Sequence, residues 1–532
     1  MTGSRTRIMV VGGGATGVGI VRDLALRGVE TVLVEQKDLA HGASFRFHGL
    51  LHSGARYAVN DPAAARECAG ENRLLGRVAS TCVKKCGGLF LQLASDPDDY
   101  AEAWLAGCRQ AGIEAAPVAV EDVLRENPYL TGGLKRAYRV EDGVIDGARL
   151  VWTHAFQAAS RGAKVLTYTK LTAIRQAGGK VEGAETVNTL TGEKTFWECE
   201  MIINAAGAWA EEVAKLGGAR LSITKNKGSL LVFNQPFTAK VLNRLRAPGD
   251  GDIIVPHHTV TILGTTSINI EDLDAAPPTA AEVDQLLAAG RELIPEIDSQ
   301  RLLRVYAGIR PLYAGAVGGN DDGRDISREF VIIDHGREGL RGLVSLIGGK
   351  LTTYRLIAEK TVDYVCRELG IAKPCLTAQI PLVAPELLRG ERGKVSKYVF
   401  RYGEKGPSVQ AVIDAHPEKA DVICECEDIC GAEIEEISSW ESTKNLDDLR
   451  RKTRVGMGTC QGLYCSFRSL GAAWRFLREK PEPPLQQLLN FLENRFRGQK
   501  YLLWESQIRE CELTLGIYSA IFNIERAEES EV

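Results

Sequence analysis

Four cysteines near the C-terminus have a spacing that suits a metal centre. They read Cys424-x-Cys426, a gap of 33 residues, then Cys460-x4-Cys465. Two tight thiol pairs separated by a few dozen residues can close around one centre. Thiolates are soft ligands that favour zinc or an iron–sulfur cluster. Zinc sites usually pair two Cys-x2-Cys units, so the spacing departs from the common zinc pattern, and structural zinc on the same four ligands stays open. Cys430 lies nearby, but the other four complete a set. The scattered Cys68, Cys82, Cys86, Cys108, Cys199, Cys366, Cys375 and Cys511 read as small apolar core residues.

The other end of the chain carries nucleotide chemistry. Gly12-Gly13-Gly14-Ala15-Thr16-Gly17 fits G-x-G-x-x-G. Gly12 allows the tight turn, Gly14 lets a pyrophosphate approach the backbone, and Gly17 lets helix and strand pack closely. The helix N-terminus then faces the pyrophosphate. Glu35 closes the next apolar strand, where an acid binds ribose hydroxyls and disfavours a 2′-phosphate. FAD or NAD is therefore expected rather than NADP, and an electron carrier there could pass electrons to a cluster at the cysteines.

Further runs could touch ligands. Gly42-Ala43-Ser44-Phe45-Arg46 and His48-Gly49-Leu50-Leu51-His52-Ser53-Gly54-Ala55-Arg56-Tyr57 are too irregular for a regular element. They suit backbone wrapped on a ligand, or an ordinary surface loop. Gly348-Gly349-Lys350-Leu351-Thr352-Thr353 places a glycine turn at a helix start, a second end suited to an anion. Arg56, Arg310, Arg328 and Lys350 offer cations for a phosphate or carboxylate, which arginine binds bidentately.

The chain has 532 residues, is 44% hydrophobic and 25% charged, and carries a net charge of −4. That length asks for roughly two to four domains. The composition is that of a soluble globular enzyme, and the charge gives no reason for a nucleic-acid partner. The opening MTGSRTRIMVVGGG has no basic-then-apolar leader. No run approaches the roughly 20 apolar residues of a spanning helix. The expectation is a cytoplasmic protein that reaches a membrane only through partners. There, clustered cysteines point to metal or redox chemistry rather than disulfides.

These residues need a scaffold. TRIMVV at 6–11, a helix over 15–27 and TVLVE at 31–35 form a βαβ unit, hence a parallel sheet with covering helices. Residues 60–130 read as helical and polar. MIINAAGAWA at 201–210 is a strand running into small residues. Residues 217–345 alternate short strands with turns, as a mainly antiparallel second sheet would. Residues 343–369 read as strand, glycine turn and long helix. The fold class expected is α/β (α+β). Residues 1–370 form one unit of interleaved dinucleotide and substrate subdomains, 371–420 a proline-marked linker, 421–475 the cysteine module, and 476–532 a helical extension with an acidic tail.

Taken in order, GGGATG, HGLLHSGARYAV, NAAGAWA, KGSLL, ILGTTS, YAGIRPL, ISREF, GGKLTTYR, CECE and TRVGMGTCQGLYC resemble the FAD-dependent glycerol-3-phosphate dehydrogenases, in particular the A subunits of the anaerobic, membrane-associated type. The resemblance runs from residue 7 to about 515, and the last two runs are similar to the [2Fe-2S] domain of the bacterioferritin-associated ferredoxin type. It implies the glutathione-reductase-like fold of the D-amino-acid oxidase type. It implies FAD held by Gly12, Gly14, Gly17 and Glu35, with Ser44, Arg46 and Gly207 near the flavin and Gly349, Leu351 and Thr352 at its ring end. The phosphate of sn-glycerol 3-phosphate would be held by some of Arg56, Arg310, Arg328 and Lys350, with Thr265 and Thr266 lining the pocket. Cys424, Cys426, Cys460 and Cys465 would ligate a [2Fe-2S] cluster. Electrons would leave to partner subunits, one of them a membrane-associated iron–sulfur protein feeding quinone at the inner face of the cytoplasmic membrane.

The implied reaction oxidises the C2 alcohol to a ketone, giving dihydroxyacetone phosphate, while a base removes the hydroxyl proton and hydride moves to the flavin. A base near the operating pH favours histidine. His52 is the first candidate and His257 the second. Two departures from aerobic relatives leave the base open. Their serine-rich run after the glycine at 42 is here Ala43-Ser44-Phe45-Arg46-Phe47, and their histidine after the KGS run is here Leu230. The alternatives are a dehydrogenase of the same fold acting on a 2-hydroxy acid such as 2-hydroxyglutarate, whose carboxylate would use the same arginines, and a non-catalytic electron-transfer protein carrying flavin and an iron–sulfur cluster.

Overall fold

The fingerprint strand Ile8–Val11 is apolar at every position and buried along its whole length. In the computed structural model, which describes residues 2–273, 276–313, 330–389 and 395–522, it takes an inner place in a six-stranded sheet. The order is Lys164–Leu166, Thr31–Val34, Ile8–Val11, Met201–Asn204, Leu343–Gly348, Phe330–Asp334. Neighbours run parallel except the last pair. Parallel strands covered on both faces read as continuous apolar runs. Helix Ala15–Leu26 packs against Gly147–Ala159 and Tyr354–Glu368. Gly19 makes the approach possible, since a Cβ there would already stand 3.2 Å from Ala358 and Tyr354.

A second sheet of nine strands, mostly antiparallel, takes the strands from Ile223–Phe233 to Leu302–Tyr313, while Phe330–Asp334 and Leu343–Gly348, which begin inside the 217–345 range expected for it, join the first sheet. The second sheet also recruits Gly88–Leu93, Ala116–Val118 and Leu134–Val140. Residues 60–130 are therefore not helical throughout. Pro62–Val78, Asp98–Gln110 and Val120–Glu126 are helices, but GLFLQL between them is a strand buried at every position. A short apolar run buried on both faces has no period that separates strand from helix. Pairing with Leu134–Val140 and Val241–Arg244 decides it.

Residues 371–420, read from sequence as a linker, hold the helices Lys397–Tyr402 and Gly406–Ala415. Tyr402 is buried, stacks on Trp152 and meets Trp440 edge-on. These rings fill the seam between the unit of residues 1–370 and the cysteine module. Within the module, helices Gly431–Ser439, Leu446–Thr453 and Cys465–Leu477 pack together, and their apolar core is continuous with that of the dinucleotide sheet. Pro484–Phe496 and Glu505–Phe522 are helices, and the acidic tail lies outside the described residues.

Charges lash the module to the sheet. Asp38 accepts from Lys452 Nζ at 2.9 Å and from Arg451 Nε at 3.3 Å. Tyr168 Oη donates to Asp448 at 2.9 Å. The Asp38 and Lys452 side chains are each 2% exposed. Removing one partner of such a pair strands the other in a poor solvent, at about 3–5 kcal/mol. Asp38→Ala should lower the unfolding free energy by about that amount, read by denaturant titration. A loss no larger than the ~1 kcal/mol of an exposed pair would show that this clamp does not hold the module.

Candidate active site and cysteine centre

Gly12 ends the first strand with φ +110°, and a Cβ there would lie 2.5 Å from the Ala205 carbonyl oxygen. A Cβ on Gly17 would fall 1.9 Å from the Gly12 carbonyl oxygen. Only glycine lets the helix sit directly on this turn. Gly14 caps the helix, and its N-terminus opens onto a cavity of about 1950 Å³. Glu35 lines the same cavity, its carboxylate accepting from Gly13 N at 2.7 Å and Lys37 N at 2.9 Å. Burial pushes its pKa up, and those N–H groups oppose the rise. Ser44 Oγ accepts from Ala15 N at 2.9 Å, which draws the 42–46 run across the helix N-terminus. Gly308 clears the other side of that run, since a Cβ there would stand 1.9 Å from the Arg46 carbonyl oxygen. The run is wrapped along the cavity and is not a plain surface loop. Arg46, Gly207, Gly349, Leu351 and Thr352 also line it, with φ of +58° at Gly207 and +80° at Gly349. A small-residue turn on a helix N-terminus, a fixed acid at a strand end and a second glycine turn form a cradle that fits an extended flavin dinucleotide.

A second part of the wall is cationic and aromatic. Arg310 pairs in register with Asn226 and donates to its Oδ1 at 2.6 Å, to the Thr266 carbonyl at 3.3 Å and to Thr265 Oγ1. Arg56 donates to Asp252 Oδ2 at 3.2 Å and to the Gly249 carbonyl at 3.3 Å. Lys350 Nζ lies 4.3 Å from the centre of the Tyr57 ring, a cation–π contact. His52 N donates to Thr352 Oγ1 at 3.1 Å, tying two of the glycine-rich runs together. Its ring stands edge-on to His48 at 5.8 Å and 5.3 Å from Tyr57. Burial pushes the His52 pKa well below 6.5, and His48, Lys350 and Arg56 push it the same way. His48 is lowered to about 3 by burial, then by Arg310 and Arg56. Its Nδ1 accepts the Leu50 N–H at 3.0 Å. In the neutral ring the proton then resides on Nε2.

Some sequence expectations change. Thr266, expected in the pocket lining, is fully buried behind it. It donates to Glu282 Oε1 at 3.0 Å and accepts from Ser229 N at 2.9 Å, while its neighbour Thr265 lines the cavity. His257 is not in the cavity wall. Its ring is packed on Gly49, where a Cβ would lie 2.8 Å away. Arg328 lies outside the described residues. The sequence reading does not single out His48, Tyr57 or Asp252. The first two stand inside the HGLLHSGARY run, where their polar rings were the available signal. Asp252 is 196 residues from Arg56, and no spacing relates them.

The four cysteines come together. The Cys465 thiol stands beside those of Cys424 and Cys460, and Cys426 beside Cys460, while Cys426 Sγ lies 3.3 Å from Thr459 Oγ1. The Cys465 contacts push Cys424 and Cys460 below the usual thiol range and Cys465 itself above it. The Gly456 and Glu427 N–H groups face Cys424, those of Tyr464 and Gly462 face Cys460, and each favours the thiolate. Among the described residues, no group of three or more His, Cys, Asp or Glu side chains stands arranged for a metal ion. The thiols form a chain of neighbours, not a finished ligand shell. The all-sulfur donor set with N–H groups aimed at sulfur fits an iron–sulfur cluster, and also zinc. Cys430 instead engages Tyr398 Oη at 3.7 Å.

Known proteins match this arrangement. The family model described as FAD dependent oxidoreductase covers residues 7–355. The A subunit of the anaerobic glycerol-3-phosphate dehydrogenase of Escherichia coli K12 is 38% identical, over 98% of this chain and 97% of that protein. The A1 subunit of the same enzyme from Haloferax volcanii is 39% identical, over 97% and 90%. Among solved structures, the glycerol-3-phosphate dehydrogenase of Bacillus halodurans complexed with FAD shares the fold with a TM-score of 0.69, at 22% identity, covering 94% of this chain and 96% of that one. The chain belongs to the FAD dependent oxidoreductase family, within the group of the anaerobic glycerol-3-phosphate dehydrogenase A subunits.

Proposed function

We propose that the chain oxidises sn-glycerol 3-phosphate to dihydroxyacetone phosphate, with FAD in the large cavity. The observation that carries the reading is that Arg56, Arg310 and Lys350 meet His48 and His52 on the wall of the cavity that also holds the dinucleotide cradle. FAD, when bound, takes the hydride from C2 and holds the two electrons.

The cations bind the phosphate and so fix the distance from phosphate to C2. Arg310 is oriented by Asn226 and Thr265, Arg56 by Asp252, and Lys350 by the Tyr57 ring. A dianion answers this much positive charge better than the single carboxylate of a 2-hydroxy acid. His52 takes the C2 hydroxyl proton, and His48, with its proton on Nε2, donates to a substrate oxygen. The free His52 ring is a weaker base than an ordinary histidine, because burial and nearby cations disfavour its charged form. A bound phosphate offsets Lys350 and Arg56, so substrate binding itself strengthens the base.

We assign a [2Fe-2S] cluster to Cys424, Cys426, Cys460 and Cys465. Its one-electron chemistry suits delivery to partner subunits, one of them a membrane-associated iron–sulfur protein, and then to quinone. The relatives are named as subunits of a larger enzyme, which supports a partner. No helix among the described residues is long and apolar enough to cross a membrane, and membrane contact is assigned to the partner.

Anaerobic addition of sn-glycerol 3-phosphate to the holoprotein should bleach the flavin band promptly, and 2-hydroxyglutarate should not. His52→Asn should slow that bleaching by about 10²–10⁴-fold with FAD content unchanged, and an unslowed variant removes His52 as the base. Arg310→Gln should raise the half-saturating substrate concentration roughly 10- to 150-fold, the equivalent of one lost charged hydrogen bond. An unchanged value would place the phosphate elsewhere. Cys460→Ser should remove the iron–sulfur absorbance and the reduced-state paramagnetic signal while FAD remains. Wild-type protein that contains zinc and no iron would reassign the centre.

A further inference from the structure

The helix Leu446–Thr453 touches both candidate centres. Asn445, Asp447 and Arg451 contribute to the flavin cavity wall, along with Gly14, His41 and Arg46. Just past its other end, Arg454 pairs with Glu427 at 2.9 Å, beside Cys426, and the Gly456 N–H faces Cys424. A helix of 8 residues is only about 12 Å long.

The wall it makes is crowded with positive charge. Arg46 has no ion-pair partner among the described residues. Its side chain is exposed to the cavity, where the guanidinium groups of Arg451 and Arg450 and the carboxylate of Asp447 act on it. His41 is lowered to about 3 by burial, then by Arg451, Lys37 and Arg46. Asp447 is already shared, with Arg450 at 2.9 Å and Asn494 at 2.8 Å. Behind it, the buried Nε atoms of Arg450 and Arg495 have no partner. Arg451 itself uses Nε for Asp38 and Nη2 for Asp448, which leaves Nη1 as the edge open to a ligand. A buried guanidinium with one edge free and an exposed one beside it together attract an anion. The helix N-terminus at Gly14, which is built for a diphosphate, opens on the same cavity.

We propose that Arg451 of the cysteine module, together with Arg46, binds the diphosphate of the dinucleotide, so that the module is one wall of the flavin site. The proposal rests on the reading that this cavity holds FAD. The class of ligand group is a diphosphate ester, and the uncharged flavin ring is not part of the claim.

The test uses full-length apoprotein titrated with FAD and, separately, with riboflavin, followed by quenching of flavin fluorescence at low and high salt. Arg451→Gln should weaken FAD binding by about tenfold or more at low salt. The loss should be smaller at high salt, and riboflavin binding should be unchanged. That variant also loosens the Asp38 clamp and can fail to fold, so Asp447→Asn is the second arm. It removes the acid that faces both Arg46 and Arg451 while Asp38 and Asp448 still anchor Arg451, and it should tighten FAD about threefold or more, a gain that misfolding cannot produce. Equal effects on FAD and riboflavin, or no tightening in Asp447→Asn, would overturn the proposal. Wild-type protein that takes up neither flavin would instead sink the cofactor reading beneath it.

Discussion

The active cavity depends on backbone brought closer than any side chain would allow. The Gly12 carbonyl oxygen occupies the place a Cβ on Gly17 would take, and the Ala205 carbonyl crowds Gly12 itself. This lets a helix begin directly under the end of its strand, so its unpaired N–H groups point into the cavity. The same device recurs at Gly308 against the Arg46 carbonyl. Chain segments up to hundreds of residues apart thus meet without bulky side chains between them, and the room left over is large enough for a dinucleotide and a small substrate.

Charge is the second constraint. The cations beside the histidines are held in different ways, Arg310 by an amide and a hydroxyl, Arg56 by a carboxylate and Lys350 by an aromatic ring. The amide, the hydroxyl and the ring are neutral, so they orient their cations without cancelling the charge. That field, added to burial, keeps both imidazoles neutral before substrate arrives. In the proposed reaction an anionic substrate would relieve that field, joining recognition of the phosphate to removal of the proton.

The cysteine module shares this logic. It has no core of its own, because its buried residues continue those beneath the dinucleotide sheet. Trp440 fills the seam against Trp152 and Phe156, and Asp38 anchors Lys452. Elements that share one core and a buried ion pair unfold together and hold fixed distances. Fixed distance is what the proposed transfer of electrons from flavin to a cluster at the cysteines would require.

Much of this is legible in the residues because it depends on local geometry. The glycine fingerprint, Glu35 at the next strand end, the GGKLTT turn and the paired cysteines are short patterns whose spacing alone dictates a backbone shape or a ligand bite. Tertiary structure decided whatever depends on a distant partner. Thr265 and Thr266 are adjacent, yet one lines the cavity and the other is turned away by Glu282, 16 residues further on. His257, the second base candidate from sequence, packs against Gly49 outside the cavity wall, while His48 lines it. GLFLQL became a strand through pairing with residues 134–140 and 241–244, not through its own pattern. Asp38 looks like a surface acid until a lysine 414 residues later reaches it. Backbone turns are set by neighbours in sequence, whereas burial, ion pairing and the direction of a side chain are set by whatever the folded chain brings against it.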